Sequence, residues 1–275
     1  MSAEQREIQR VGIIGIGEMG SLMVERMLAG GHQVAFYARR PEAGVALEAL
    51  GAVRARSAAD LAEQSDVLIL CVFTDDQVTD VCLGPDGVLA HMRPGAILVN
   101  HTTGSPVTAT QLAVSASALG VRFLDAALSG APAQISAGTL TLLIGGDPDV
   151  VDSVRALLSS YSNPILRVGD VGDGQRVKLV NNALFTANMA LVREAEALAS
   201  RLGLDSETVL RSVSHSSGGS YALGVVLQRG SAAETWQQIG YYMKKDLAIL
   251  DQVAADLDVD LGMLRDVTRE PASGA

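Results

Sequence analysis

Residues 172–203 read GDGQRVKLVNNALFTANMALVREAEALASRLG, and the character of the chain changes there. Val177, Val180, Leu184, Ala187, Leu191, Ala195, Leu198 and Leu202 recur at helical spacing and form one apolar stripe. Nothing inside the stretch breaks a helix. Gly172 and Gly174 punctuate one end, and Gly203 suits a C′ position at the other. Such a helix would be roughly 40 Å long, more than a small domain needs for itself. The expectation is a beam shared by two domains, with Lys178 and Asn182 one turn apart on one face.

Upstream of this stretch, short apolar runs alternate with helical patterns. The strand candidates are VGIIG (11–15), VAFY (34–37), VLILCV (67–72), AILVN (96–100), VRFLD (121–125), TLTLLIG (139–145) and ILRV (165–168). Helical spacing lies between them, at 21–29, 41–50, 105–119 and 148–159. Continuous apolar strands separated by helices predict a parallel sheet covered on both faces. Downstream, β-like runs disappear, and helices are expected at 206–213 and 241–257 around a Gly/Ser-rich break. The boundary falls among the glycines of 169–174, giving domains at 1–171 and 172–275.

Bulk properties narrow the function classes. A chain of 275 residues with 48% hydrophobic residues can bury a substantial core. A net charge of −10 argues against nucleic acid and against an anionic membrane surface as partners. The first ten residues are polar, with no apolar h-region, and no apolar run approaches the ~20 residues of a membrane span. The two cysteines, Cys71 and Cys82, make no disulfide framework, so a cytoplasmic location is expected. The four histidines show no metal-ligand spacing, and no metal is expected.

The first strand candidate runs into Gly15-Ile16-Gly17-Glu18-Met19-Gly20 and then a helix. This G-x-G-x-x-G stands in the context that lets a backbone approach a pyrophosphate at a helix N-terminus. Where an acid at the end of the second strand would hold a ribose 2′-hydroxyl, the chain has Arg39 and Arg40. A guanidinium fork suits a phosphate dianion, so NADP(H) is expected over NAD(H).

Four blocks therefore stand in order: GIGEMG (15–20), DAALSGAPAQISAGTLTLLIGG (125–146), GDGQRVKLVNNAL (172–184) and MKKDL (243–247). Together they resemble the β-hydroxyacid dehydrogenase family across nearly the whole chain. The resemblance implies an α/β fold class, with an N-terminal Rossmann-like doubly wound sheet followed by an all-α domain joined by the long shared helix. It also implies a homodimer and reversible NAD(P)-linked interconversion of a small β-hydroxy acid and its semialdehyde. By position, Lys178 matches the catalytic lysine and Asn182 the substrate-orienting asparagine. Ser129, Gly130 and Ala131 match the segment that receives the substrate carboxylate. Thr103 matches the threonine beside the nicotinamide, Lys245 the lysine of the K-D-L block near the cofactor, and Val72 and Phe73 the loop covering the nucleotide.

The chemistry of the residues agrees with these roles. Hydride transfer to a carbonyl needs a proton on the oxygen, and a lysine gives it up readily only where burial or positive charge disfavours the ammonium. Lys178 is expected in the first turns of the helix, where the macrodipole is positive. Ala127, Ala131 and Ile135 depart from the family pattern, as do Asn100 and His101. These departures predict an altered pocket, with His101 a satisfied surface or loop residue. Two rival readings remain: an imine reductase of the same fold, against which Lys178 argues, and a non-catalytic NADP(H)-binding sensor, which has no need of a proton donor.

Overall fold

The computed structural model describes residues 10–269. It divides into two compact units, one ending at Lys178 and one beginning at Leu179. The first unit contains β1 (Val11–Ile14), α1 (Glu18–Ala29), β2 (Val34–Tyr37), α2 (Val45–Ala49), β3 (Val53–Arg54), α3 (Ala58–Gln64), β4 (Val67–Leu70) and α4 (Asp75–Leu83). It continues with β5 (Ile97–Asn100), α5 (Pro106–Ala118), β6 (Arg122–Ser129), α6 (Pro132–Ala137), β7 (Leu140–Gly145), α7 (Pro148–Leu158) and β8 (Ser162–Gly169). Helix α8 (Asp173–Arg201) starts in the first unit and runs on into the second, followed by α9 (Ser206–Ser214), α10 (Tyr221–Arg229), α11 (Ala232–Asp256) and α12 (Met263–Arg269). The expected order of an α/β part followed by a helical part is the observed one.

The sheet runs β3-β2-β1-β4-β5-β6-β7-β8. Its central strands alternate between two cores. Ile13, Ile69, Val99 and Leu124 face Met23, Met27, Val151 and Val154 of α1 and α7. Ile14, Leu68, Leu70 and Leu98 face Leu61, Val78 and Leu112 of α3, α4 and α5. That period of two, with both faces buried, is why these strands read as unbroken apolar runs. Each side chain of β4 is fully buried and contributes ~1.5–3 kcal/mol relative to exposure.

Two features depart from the expectation. The sheet is mixed, because β6 pairs with β7 antiparallel while its other pairs are parallel. The link between β6 and β7 holds only the short α6, and a parallel return needs a crossover of about a dozen residues or more. Most of the larger side chains of the α8 stripe also do not face a core. Val180, Leu184, Leu191 and Leu202 are each more than half exposed. Of the stripe, Ala187 is buried, and the other buried positions of the helix include Leu179, Asn182, Ala183, Thr186 and Ala190. In the second unit, Met189 and Val192 pack with Leu210, Leu223 and Val226 of α9 and α10.

Candidate active site

The strand order reverses between β1 and β4, and the carboxyl ends of β1, β2, β4 and β5 open on the same edge of the sheet. A crevice at such a switch point is where open α/β sheets take ligands. Three glycines build its floor. Gly15 has φ +99°, and a Cβ there would lie 2.1 Å from the Cys71 carbonyl oxygen. A Cβ at Gly20 would meet the Gly15 carbonyl at 2.0 Å, so the helix can seat against the turn only without one. Gly17, the N-cap of α1, faces open space and carries no side-chain cap. That arrangement leaves backbone N–H groups at a helix start for a pyrophosphate, so the residues present fit a dinucleotide. Ile16 and Met19, by contrast, pack against the core, while Glu18 is exposed. Arg39 and Arg40 stand exposed just beyond β2; Arg40 approaches Glu42 at 3.9 Å and in solvent.

Beyond β4, Val72 and Phe73 are half-buried and tied down through their backbones. The Phe73 N–H donates to Gln77 Oε1 at 2.8 Å. Thr102 Oγ1 accepts the Val72 N–H at 3.2 Å and donates to the Val72 carbonyl at 3.0 Å. Thr102 thus latches the β5–α5 loop to the β4–α4 loop, with Thr103 next to it and half-buried. At the far end of β6, Ser129 is half-buried and Gly130, at φ +143°, is exposed. The Ala131 N–H is taken by Gln134 Oε1 at 2.9 Å, which commits that amide within the chain.

Two of the departures are buried. Ile135 is fully buried in the core beside Met23 and Met27, and Ala127 is equally enclosed. The larger residue at 135 therefore fills the core under α6. His101 is also buried rather than on the surface. Its Nδ1 lies 2.6 Å from the Ala126 carbonyl and its Nε2 2.8 Å from the Tyr161 hydroxyl. A carbonyl only accepts, so Nδ1 carries the proton and Nε2 accepts from the tyrosine. Burial lowers the His101 pKa to about 4, with the Ala126 hydrogen bond pulling the other way.

The start of α8 rests on Asp125, a residue to which the sequence assigned no role. Its side chain is fully buried; Oδ1 accepts the Gly172 N–H at 2.8 Å and Oδ2 the Gln175 N–H at 2.9 Å. The fit is close, since a Cβ at Gly174 would come 2.6 Å from Oδ2. Burial pushes the Asp125 pKa up to about 7, against the pull of the two N–H bonds. Lys178, in the next turn of α8, is 8% exposed.

In the second unit, Asn182 and the K-D-L block meet. Asn182 Nδ2 donates to Asp246 Oδ2, Asn181 Nδ2 donates to Asn182 Oδ1, and Lys245 Nζ lies 3.0 Å from Asp246 Oδ1. Asp246 and Gln175 were missed by the sequence reading, although each sits inside a quoted block; only the fold shows what their side chains hold. Among the described residues, no three His, Cys, Asp or Glu side chains gather as a metal site, and no helix is long and apolar enough to cross a membrane.

Two family models match the chain. The NAD binding domain of 6-phosphogluconate dehydrogenase matches residues 10–169, and the model described as NAD-binding of NADP-dependent 3-hydroxyisobutyrate dehydrogenase matches residues 172–270. An NAD-dependent L-serine dehydrogenase of Pseudomonas aeruginosa is 32% identical over 90% of this chain and 86% of its own length. A 3-hydroxyisobutyrate dehydrogenase of the same organism is 34% identical over 78% of this chain and 72% of its own. In fold, the chain resembles a Mycobacterium tuberculosis 3-hydroxyisobutyrate dehydrogenase solved with L-serine, at TM-score 0.84 and 24% identity, over 95% of this chain and 92% of that one.

Proposed function

Since the chain belongs to the β-hydroxyacid dehydrogenase family, we propose that it moves a hydride between NADP(H) and a small β-hydroxy acid or its semialdehyde form, with Lys178 handling the proton. The coarser statement, an oxidoreductase that binds a nicotinamide dinucleotide, follows from the family itself. The observation that carries the finer reading is the buried Lys178 on a helix whose first turn is bonded to Asp125 at the strand ends.

The bound cofactor supplies a hydride equivalent to the carbonyl carbon. The chain's own residues do the rest. Lys178 gives a proton to the carbonyl oxygen during reduction and takes it back from the hydroxyl during oxidation. Asn182, one turn on, can donate and accept at that oxygen without competing for the proton. Ser129 and Gly130 are assigned to the substrate carboxylate. The turn 15–20 takes the pyrophosphate, Val72 and Phe73 cover the nucleotide, and Thr103 and Lys245 border the cofactor. The preference for NADP(H) rests on Arg39 and Arg40, exposed where a 2′-phosphate would lie.

The exposed stripe of α8 supports a homodimer built through the helical part, since a monomer rarely leaves so long an apolar row in water. The free thiols Cys71 and Cys82 fit a cytoplasmic enzyme. The test is Lys178→Ala, assayed with semialdehydes and keto acids through NADPH absorbance. Turnover should fall at least 10³-fold with NADPH binding within about threefold of wild type; full activity in the variant would refute Lys178 as the proton donor.

A further inference from the structure

The loop between β5 and α5 has little regular structure, yet its backbone is closely held by side chains. The Thr102 N–H donates to Asn100 Oδ1 at 3.1 Å, and the Ser105 N–H to Asp75 Oδ2 at 2.6 Å. Between them lies Gln175, 1% exposed, the third residue of α8. Its Nε2 donates to the Thr102 carbonyl at 3.1 Å, and its Oε1 accepts the Gly104 N–H at 2.9 Å. Both ends of one carboxamide are therefore spent on the residues flanking Thr103. The backbone N–H of the same residue is anchored on Asp125.

This task demands a donor and an acceptor at the tip of a side chain of this length. Asparagine is one carbon short, and an ionised glutamate has no donor. Gln175 is also three residues before Lys178, so the two are neighbours on the helix surface. We propose that Gln175 is a positioning residue for hydride transfer: it fixes the Thr103 loop to the turn of α8 that precedes Lys178. The inference rests on the reading of Lys178 as proton donor. Its consequence is kinetic, because a reacting geometry loosened by a fraction of an ångström slows the chemical step without weakening the cofactor's main contacts.

The test compares wild type, Gln175→Glu and Gln175→Met as full-length proteins. Four readouts are taken: thermal unfolding, NADPH affinity by fluorescence, amide exchange of peptide 100–105, and the single-turnover hydride rate per bound cofactor from pH 5.5 to 8.5. The substrate is the semialdehyde that the wild type reduces fastest. In Gln175→Glu at pH 8.5, the ionised carboxylate faces the Thr102 carbonyl without a hydrogen. The rate per bound cofactor should be 10- to 100-fold below wild type, with NADPH affinity within threefold. On acidification the protonated carboxyl donates as the amide did, and the ratio to wild type should recover at least fivefold. The charged groups about that position are Asp125, against its backbone, Asp75 of α4, beside Gly104 and Ser105, and Asp173, Arg176 and Lys178 on its own helix. Gln175→Met keeps these groups and should stay slow at every pH, with faster exchange at Gly104.

Three outcomes overturn the proposal: a wild-type rate per bound cofactor in either variant, acid recovery in Gln175→Met, or a loss confined to folding and cofactor binding. Failure of the functional reading looks different. In that case the wild type reduces no carbonyl, or Lys178→Ala turns over normally, while exchange at Gly104 still responds to Gln175→Met.

Discussion

Asn182 donates from Nδ2 to Asp246 Oδ2 at 2.5 Å, with both side chains buried. A carboxylate only accepts, so the bond fixes which way the carboxamide points, and Asn181 Nδ2 completes the set by donating to Asn182 Oδ1 at 3.0 Å. The Lys245 ammonium pairs with the other oxygen of Asp246 as an ion pair whose angle makes no hydrogen bond. Asp246→Ala removes the carboxylate that both groups meet and leaves the buried Asn182 amide N–H without its acceptor. It should destabilise the protein by about 2–4 kcal/mol in urea denaturation. A loss below about 0.5 kcal/mol would show that water replaces the carboxylate without cost.

Among the described residues, Arg39 and Arg40 make no close ion pair, since Arg40 reaches Glu42 at 3.9 Å and in solvent. Nothing structural depends on their charge, which frees them to meet a phosphate. Arg39→Ala combined with Arg40→Ala should raise KM for NADPH by about 10- to 100-fold, the loss of one or two charge-assisted hydrogen bonds. KM for NADH should change less than threefold. Equal effects on both cofactors would remove the basis for an NADP(H) preference.

Leu184 and Leu191 are 56% and 58% exposed on α8, two turns apart on the same face. Water does not favour that row, and a second copy of the chain would cover it. Leu191→Glu places a carboxylate in the centre of the row and should shift a dimer to monomer in sedimentation velocity, with little change in helix content by circular dichroism. A monomeric wild type at micromolar concentration would leave the row without the proposed partner.

The parts of the fold visible in the sequence are those with a local cause. The G-x-G-x-x-G turn was legible because Gly15 and Gly20 each sit where a Cβ would strike a carbonyl. The paired cores were legible because β1 and β4 are apolar at every position. What escaped notice depends on partners far away in the chain. The two-residue β3 is too short for a periodicity, and the reversal at β7 lies in the length of a connection, not in the residues of the strand. Asp125, Gln175 and Asp246 are ordinary polar letters until the fold sets them against Gly172, Gly104 and Asn182. The α8 stripe shows the converse: a correct period does not say whether a core of the same chain or another surface receives it.

Asp125 and His101 are both buried, and their pKa values are displaced in opposite senses, with opposite consequences for stability. Asp125 rises from 3.8 to about 7 on folding, so the folded chain holds its proton more tightly than the unfolded one. Its contribution is full below pH ~4 and is lost as pH climbs to ~7. His101 falls from 6.5 to about 4, so its contribution is full above pH ~6.5 and is lost as pH drops to ~4. Between about pH 4 and 6.5 the two slopes oppose, each up to ~1.4 kcal/mol per pH unit. The wild type should therefore show little net dependence from this pair. Asp125→Asn removes one slope and should make stability, relative to wild type, fall as pH is lowered from 6.5 to 4. His101→Gln retains a donor for Ala126 and an acceptor for Tyr161 but does not titrate, and should make relative stability fall as pH rises from 4 to 7. Urea unfolding at half-unit pH intervals, read as the difference between each variant and wild type, separates these slopes from those of all other groups. Parallel curves for the three proteins would mean that neither side chain changes its proton affinity on folding, and the opposing pair would have to be abandoned.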